Sequence, residues 1–161
     1  SSIKMKYSVW LLFVALFISS CDKSKVYENV SELTNGYWLA DSTKTFEFQI
    51  ENPDLSYNLY FNLRNGLEYP HSNIYVNYLV LDSANNVMDE ELRNFQLFHQ
   101  KSGYPLGNGS GNIFEHQFDL LTDYSFPYQG RYNIRFEQYM RYDSLPEVYS
   151  IGVRVEKNTN Y

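Results

Sequence analysis

The feature that most constrains this fold is the alternation of apolar and polar side chains along much of the chain. In residues 44–51, Phe46, Phe48 and Ile50 occupy every second position and polar side chains lie between them. A period of two is typical of a strand with one buried and one exposed face. The alternation predicts strands at residues 44–51, 57–64, 74–81, 87–100, 114–120, 131–141 and 149–155.

About seven short strands separated by turn residues, with no convincing long helix, indicate an all-β fold. We expect an antiparallel β-sandwich, Ig-like or jelly-roll-like, and an eight-stranded barrel is the alternative. Residues 74–81 are apolar on both faces apart from Asn77, which predicts a central strand. Residues 103–111 are rich in glycine and are expected to form a loop, but they lack the Lys-Ser/Thr pair of a phosphate-binding loop.

The N-terminal segment has the pattern of an export signal that ends at a lipid-modified cysteine. Two lysines precede an unbroken apolar run at residues 9–18, and two serines separate that run from Cys21, the only cysteine. The run is shorter than the roughly 20 residues that a spanning helix needs. A short transmembrane anchor, or a buried helix with a chance cysteine, is the alternative. The pattern predicts a lipoprotein signal peptide at residues 1–20 and lipid attachment at Cys21.

The predicted cleavage leaves two parts. Residues 21–35 are expected to form the lipidated N-terminus and a tether, and residues 36–161 the β-sandwich domain. Residues 26–30 fit either a short helical turn or an edge strand, and the pattern does not decide between them. Because the one cysteine is expected to carry lipid, no disulfide can form within the chain, and packing must hold the fold.

Charge limits the class of partner. Cleavage removes Lys4 and Lys6, which leaves 11 basic side chains against 19 acidic ones, a formal net charge of −8. Nucleic acid is excluded as an expected partner because its phosphates require a basic footprint. The same charge argues against adhesion to anionic lipid.

The sequence contains no recognisable catalytic or metal-binding pattern. His71, His99 and His116 are far apart and match no zinc-ligand spacing. Glu115 and Asp119 flank His116, but alternation along a strand points the histidine to the opposite face from both carboxylates. We therefore expect no catalytic residue, no cofactor and no metal.

Arginines near strand ends or on outward faces are the remaining candidates for recognition. Cross-strand pairing with carboxylates is the favoured interpretation, and a partner-binding patch beside tyrosines is the other. The candidate partner-binding residues are Arg64, Tyr69 and Arg141.

Three separated stretches resemble the gliding-motility lipoprotein GldH family of Bacteroidota. The first is residues 57–65 with 69–74, YNLYFNLRN and YPHSNI; the second is residues 106–113, LGNGSGNI. The third is FEQYMR, LPEV and IGVRVE, within residues 136–156. The chain departs from the family pattern at Asn112, where Asp is usual, and at Glu147, where Gly is usual.

The resemblance implies a lipid-anchored envelope protein that is needed for gliding and is linked to the motility and type IX secretion machinery. The family offers no catalytic residue to transfer, so only Cys21 carries over as a functional position. We expect a non-enzymatic interaction subunit, lipid-anchored at the periplasmic face of the outer membrane, with the inner membrane as the other possibility. The alternative function is a carbohydrate- or peptidoglycan-binding module, in which tyrosines and Trp38 stack on sugars.

Overall fold

The computed structural model describes residues 21–159, so the predicted signal peptide lies outside the described residues. Within them the chain forms β1 (Lys25–Glu32), β2 (Tyr37–Leu39), β3 (Lys44–Ile50), β4 (Ser56–Gly66), β5 (Asn73–Asp82), β6 (Val87–Gln96), β7 (Asn108–Ser110), β8 (Ile113–Ser125), β9 (Gly130–Gln138), β10 (Ser144–Pro146) and β11 (Val148–Lys157). This part contains no helix that is long and apolar enough to cross a membrane.

The strands form two main antiparallel sheets. One has five strands in the order β1-β11-β4-β8-β7, and the other has four in the order β3-β9-β5-β6. A short ribbon of β10 and β2 completes the described fold. The predicted all-β, antiparallel sandwich-like architecture is confirmed, and β5 lies between β9 and β6 as expected for a central strand.

The expected number of strands was wrong, since the described residues form eleven rather than about seven. Three of the four additional strands, β2, β7 and β10, have three residues each. So short a strand shows too few alternations to be recognised by its period.

The fourth additional strand is β1, which corrects the expected tether. It pairs with β11 from Lys25 to Glu32, as an edge strand of the five-stranded sheet. Pairing along β1 satisfies backbone groups of β11 that would otherwise need other partners. The sandwich therefore begins near residue 25 rather than at residue 36, and within the described part of the chain only residues 21–24 precede its first strand.

The core lies between the two sheets and is rich in aromatic rings. Phe61 of β4 lies with its ring centroid 5.3 Å from that of Phe95 and 4.7 Å from that of Phe136, both on the facing sheet. Phe118 of β8 stacks on Phe95 at 4.5 Å. Ring pairs at these separations add to the stability gained from burial. The period-two pattern thus placed the inward-facing residues correctly.

The two central strands of the larger sheet run the length of the sandwich and define its two ends. β4 and β11 pair from Tyr57↔Lys157 at one end to Asn65↔Val148 at the other. We call the first the anchor end, because residues 21–24 lie there, and the second the distal end. The loops at the distal end include residues 67–72, 97–107 and 139–143.

Candidate functional site

The three stretches that carry the family resemblance meet at the distal end. The amide of Gly66 donates to the carbonyl of Glu147 at 2.9 Å, and the amide of Leu67 donates to the carbonyl of Asn112 at 2.8 Å. A ring nitrogen of His71 lies 2.9 Å from the hydroxyl oxygen of Tyr142, within hydrogen-bonding distance. Residues that are distant in sequence therefore form one connected surface.

A groove of 820 Å³ opens beside these contacts, on the corner where β5 begins and β6 and β9 end. Its exposed apolar side chains include Tyr75, Leu92 and Tyr139, each about half exposed. We call it the distal groove; its lining is Ala40, Tyr75, Leu92, Gln138, Tyr139, Met140, Arg141, Tyr142 and Asp143. Tyrosine on a groove gives a large contact area at little cost in conformational entropy.

The turn that forms one wall of the distal groove is held by a buried amide. The Gln138 side chain donates to the carbonyl of Tyr142 at 2.7 Å and accepts from the amide of Met140 at 2.9 Å. The amide of Tyr75 also donates to the sulfur of Met140 at 3.1 Å. These bonds join β5 to the turn, so the wall is already ordered in the free protein. This favours binding, because little of the wall has to be ordered when a partner binds.

Arg141 lies at the tip of that turn, in the left-handed backbone region at φ 61°. Its side chain is exposed and forms no ion pair with any residue in 21–159. Residues other than Gly, Asn and Asp seldom adopt this conformation. A backbone outlier at an exposed, unpaired charge is consistent with a functional position.

Four of the six arginines within residues 21–159 form ion pairs, and one of these, Arg93, pairs with Glu91 of its own strand. Arg64, Arg131 and Arg154 pair with carboxylates across strands, as the favoured interpretation predicts. Arg135 and Arg141 have no ion pair within the described part of the chain. Both unpaired arginines belong to β9 or to the turn that follows it, and of the two it is Arg141 that lines the distal groove.

The structure brings two of the three predicted partner-binding residues to the same end. Arg141 lines the distal groove. Tyr69 lies behind the groove, with its ring centroid 6.1 Å from that of His71. Tyr69 is 5% exposed and its hydroxyl donates to the carbonyl of Asn73 at 2.8 Å, so it supports the surface and is not itself presented. Burial raises the pKa of this hydroxyl above its usual value.

Arg64 lies elsewhere. It is on the outer face of the five-stranded sheet, with its guanidinium 3.7 Å from the carboxylate of Glu32 and 3.6 Å from that of Glu115. Glu115 and His116 point to opposite faces as expected, since the imidazole is buried and 2.9 Å from the side-chain oxygen of Asn65. Arg64 therefore belongs to a cross-strand ion pair rather than to the distal groove.

The expected sugar contact at Trp38 was wrong. Its side chain is fully buried, and the indole N–H donates to the carbonyl of Ser42 at 3.0 Å. The exposed groove residues Tyr75, Leu92 and Tyr139 were not among the predicted site residues. Their outward orientation could have been deduced from strand parity, but their proximity depends on the pairing of β5 with β6 and β9.

The lining of the distal groove is mostly aromatic and aliphatic. It offers aromatic and aliphatic surface, one arginine and one carboxylate, Asp143. No histidine or cysteine lines it. Elsewhere in residues 21–159, no three His, Cys, Asp or Glu side chains are grouped so that they could hold a metal ion.

Cys21, the predicted lipid-attachment residue, is exposed at the anchor end. It is followed at once by residues that dock on β11, because Asp22 forms an ion pair with Arg154. Strand β4 spans 11 residues between this end and the distal groove, which places the two roughly 30 Å apart.

Together, these features are those of an all-β sandwich domain with an exposed cysteine beside its first strand and a connected distal surface. Comparison with protein families is specific: the chain belongs to the family described as GldH lipoprotein, whose model matches residues 25–155. The match begins at the first residue of β1, in agreement with the corrected start of the domain.

Two relatives align over nearly the whole chain. The gliding motility lipoprotein GldH of Flavobacterium johnsoniae is 26% identical, with 96% of this chain and 98% of the relative covered. The gliding motility lipoprotein GldH homolog of Christiangramia forsetii is 27% identical with the same coverage. Among solved structures, the infectious bursal disease virus VP2 subviral particle matches with a TM-score of 0.38 and 11% identity, and the match covers 83% of this chain and 30% of the viral one.

Proposed function

We propose that this chain is a non-enzymatic, lipid-anchored interaction subunit of the cell envelope, and that it acts in gliding motility and in the associated type IX secretion machinery. The distal groove is the surface that docks onto another protein of that assembly. The observation that carries the proposal is the combination of half-exposed Tyr75, Leu92 and Tyr139 with the unpaired Arg141 on one preformed groove.

The composition of the groove supports a protein partner. Tyrosine and arginine are the side chains most often found at the energetic centre of protein interfaces, where truncation of one costs about 2 kcal/mol or more. The unpaired Arg141 belongs to a chain whose formal charge is −6 overall. A partner segment with apolar side chains and a carboxylate fits both features, because the carboxylate can accept a charge-assisted hydrogen bond from the guanidinium.

The family supports the cellular setting. The relatives in Flavobacterium johnsoniae and Christiangramia forsetii are both called gliding motility lipoproteins, and they align with almost the full chain. We propose that the lipid on Cys21 anchors the domain at the periplasmic face of the outer membrane. There the distal groove would face away from the bilayer and would be accessible to another envelope protein.

Tyr139→Ala with Arg141→Ala tests the docking proposal in cells. Both side chains are on the surface, so their removal leaves the core intact. We expect loss of colony spreading and of secretion, together with loss of the partner from crosslinking pull-downs of the lipoprotein out of intact cells. A contribution of about 2 kcal/mol corresponds to a roughly 30-fold weaker affinity.

Tyr37→Ala with Arg131→Ala is the matched control, since Tyr37 is half exposed outside the groove and Arg131 is an exposed arginine of the same sheet. Wild-type spreading and crosslinks from the groove variant, at normal protein levels, would refute the proposal. Exposed tyrosines also suit stacking on sugars. Retention of the purified protein on peptidoglycan, lost in the groove variant while no protein is crosslinked, would support the glycan-binding alternative instead.

A further inference from the structure

Strand β6 forms a free edge of the four-stranded sheet. It has ten residues and pairs with β5 on one side only. A bulge at Met88 interrupts the ladder, so the regular part of the edge runs over residues 89–96. A long and regular edge strand presents a row of unpaired amides and carbonyls, to which another chain can bind.

The backbone groups that face outward from β6 follow from the pairing of its neighbour. The amide of Tyr139 donates to the carbonyl of Tyr75 at 2.8 Å, so Tyr75 of β5 turns its backbone groups toward β9. Its partner on β6, Asn94, therefore turns its own amide and carbonyl away from β5. Alternation orients Leu92 and Glu90 in the same way. Within the described part of the chain, the amides and carbonyls of these three β6 residues have no hydrogen-bond partner.

The other edges of the two main sheets are short or lie against a neighbour. β7 has three residues. β1 and β3 close one side of the sandwich, where the ring centroids of Tyr27 and Phe48 are 6.0 Å apart. On the β6 side, the Arg93 guanidinium donates to the carbonyls of Asp119 and Leu120 at 3.0 Å and so covers this part of the β8 edge. Among the described strands, β6 is thus the long edge that stays open.

The open edge is acidic. Asp89, Glu90 and Glu91 follow one another in β6, and neutral side chains of β5 donate to all three carboxylates, so these contacts add no positive charge. The one cation of the strand, Arg93, lies 3.9 Å from Glu91 but directs its guanidinium toward β8. The unpaired Arg135 belongs to β9, two strands away. Charge complementarity therefore favours a basic segment at this edge.

A second copy of this chain does not suit the same edge. β6 runs along the sandwich, from the turn beside the anchor end to the distal groove. Two-fold pairing of two β6 strands would be antiparallel and would reverse one molecule relative to the other. The two Cys21 residues would then lie at opposite ends, roughly 30 Å apart, and the lipids expected on them could not enter the same leaflet.

We infer that residues 89–96 of β6 bind an extended segment of another protein, which adds a strand to the four-stranded sheet and places lysine or arginine opposite the three carboxylates. Backbone hydrogen bonds to Glu90, Leu92 and Asn94 supply the affinity, and the charge of the segment supplies the selectivity. Leu92 is the one β6 residue that also lines the distal groove. The inference therefore goes beyond the docking proposed for that groove and does not depend on it.

Hydrogen exchange of the full acylated protein in neutral detergent tests the pairing. The probe is a capped peptide of alternating valine and lysine, as long as the ten-residue β6, and its control has glutamate in place of lysine. We expect the lysine peptide to slow exchange of the Glu90, Leu92 and Asn94 amides about ten-fold, because a hydrogen-bonded amide exchanges only when its bond opens. The glutamate peptide should protect none of them. No protection by the lysine peptide, or equal protection by both peptides, would overturn the inference.

Glu90→Pro and Glu90→Ala separate the role of the backbone from that of the charge. Both remove the carboxylate, but only proline removes the outward amide hydrogen, which the fold does not use, and proline is tolerated at such edge positions. We expect Glu90→Ala to bind the lysine peptide a few-fold more weakly than the wild type. Glu90→Pro should bind it about ten-fold more weakly than Glu90→Ala, because the peptide loses a hydrogen bond. Equal affinities of the two variants would refute pairing through the backbone.

Asn94→Pro and Asn94→Ala repeat the comparison further along the edge and should differ in the same direction. Slow exchange of the Val76 and Tyr78 amides, which face β6 from β5, shows that the sheet is intact in each variant. If Glu90→Pro disturbs the sheet, the Asn94 pair decides the question.

The groove variant Tyr139→Ala with Arg141→Ala should keep the protection of the β6 amides by the lysine peptide. Protection that is lost in this variant would assign the peptide to the distal groove and overturn the inference. Failure of the β6 tests alone would leave the docking proposal for the groove standing, because that proposal is tested by other side chains.

Discussion

His116 is predicted to make the stability of this domain depend on pH. The imidazole is 9% exposed and stacks on Phe118, with ring centroids 5.1 Å apart and an interplanar angle of 12°. Its Nε2 lies 2.9 Å from the side-chain oxygen of Asn65, the one polar partner described for this ring. Burial lowers the pKa of His116 from 6.5 to about 4, because the charged form loses its hydration inside the sandwich.

The direction of the effect follows from the pKa values. Between pH 6.5 and about 4 the unfolded chain binds a proton at His116 that the folded chain does not. The free energy of unfolding therefore falls as the pH falls through this window, and it is unaffected by His116 above it. The linkage relation gives a loss of about 2 kcal/mol at pH 5 relative to pH 8. Asp22 and Asp82, whose pKa values are lowered to about 2, contribute stability that is lost only below about pH 4.

Urea denaturation of the wild type and of His116→Gln at pH 8, 6 and 5 measures this effect. Gln keeps a donor toward Asn65 but does not titrate. Between pH 8 and pH 5, the free energy of unfolding of His116→Gln should therefore fall by about 2 kcal/mol less than that of the wild type. His99→Gln, at an exposed position, is the matched control. The comparison uses the change in the free energy of unfolding with pH, so a loss of stability in His116→Gln that is the same at every pH does not affect it. If the free energy of unfolding of His116→Gln changes with pH as that of the wild type does, His116 is not the source of the pH dependence.

Three further predictions concern the same fold and are checked by chemical denaturation. Gly107→Ala should cost about 1–3 kcal/mol, because its new Cβ would lie 2.7 Å from the His116 ring. Glu147→Gly and Glu147→Ala both lose the bond from Tyr149, but only Gly relieves the left-handed strain at φ 63°, so Glu147→Gly should be about 1 kcal/mol more stable than Glu147→Ala. Arg93→Met should cost about 1–3 kcal/mol and increase hydrogen exchange in β8, because the guanidinium donates to two carbonyls of that strand at 3.0 Å.

The part of the fold that alternation could predict is the part in which one face is buried over several residues. Phe46, Phe48 and Ile50 do point into the core, and the other six predicted strands also lie on the two main sheets. The edge strand β1 was not decided because its side chains are mostly exposed on both faces, which removes the periodic signal. Its pairing with β11 joins segments more than a hundred residues apart, and local sequence does not encode such a partner.

The candidate site was less predictable because it depends on register. Tyr75 and Tyr139 become neighbours when the amide of Tyr139 donates to the carbonyl of Tyr75 at 2.8 Å, a contact across two strands. Trp38 resembled an exposed aromatic residue because its three-residue strand gave no indication of its orientation. Glu147 is different: the family pattern has Gly there, and the left-handed backbone at this position provides the physical reason.

The length of β4 and β11 separates the anchor end from the distal groove. Both strands run from the anchor end, at Tyr57 and Lys157, to the distal end, at Asn65 and Val148. Nine residue pairs link the two strands between these ends, so a continuous ladder separates a local change at one end from the other end. Substitutions separated by far more than 10 Å usually act additively. Changing Lys157 at the anchor end to Gln should therefore leave the affinity of the distal groove for a partner unchanged, which crosslinking pull-downs would measure.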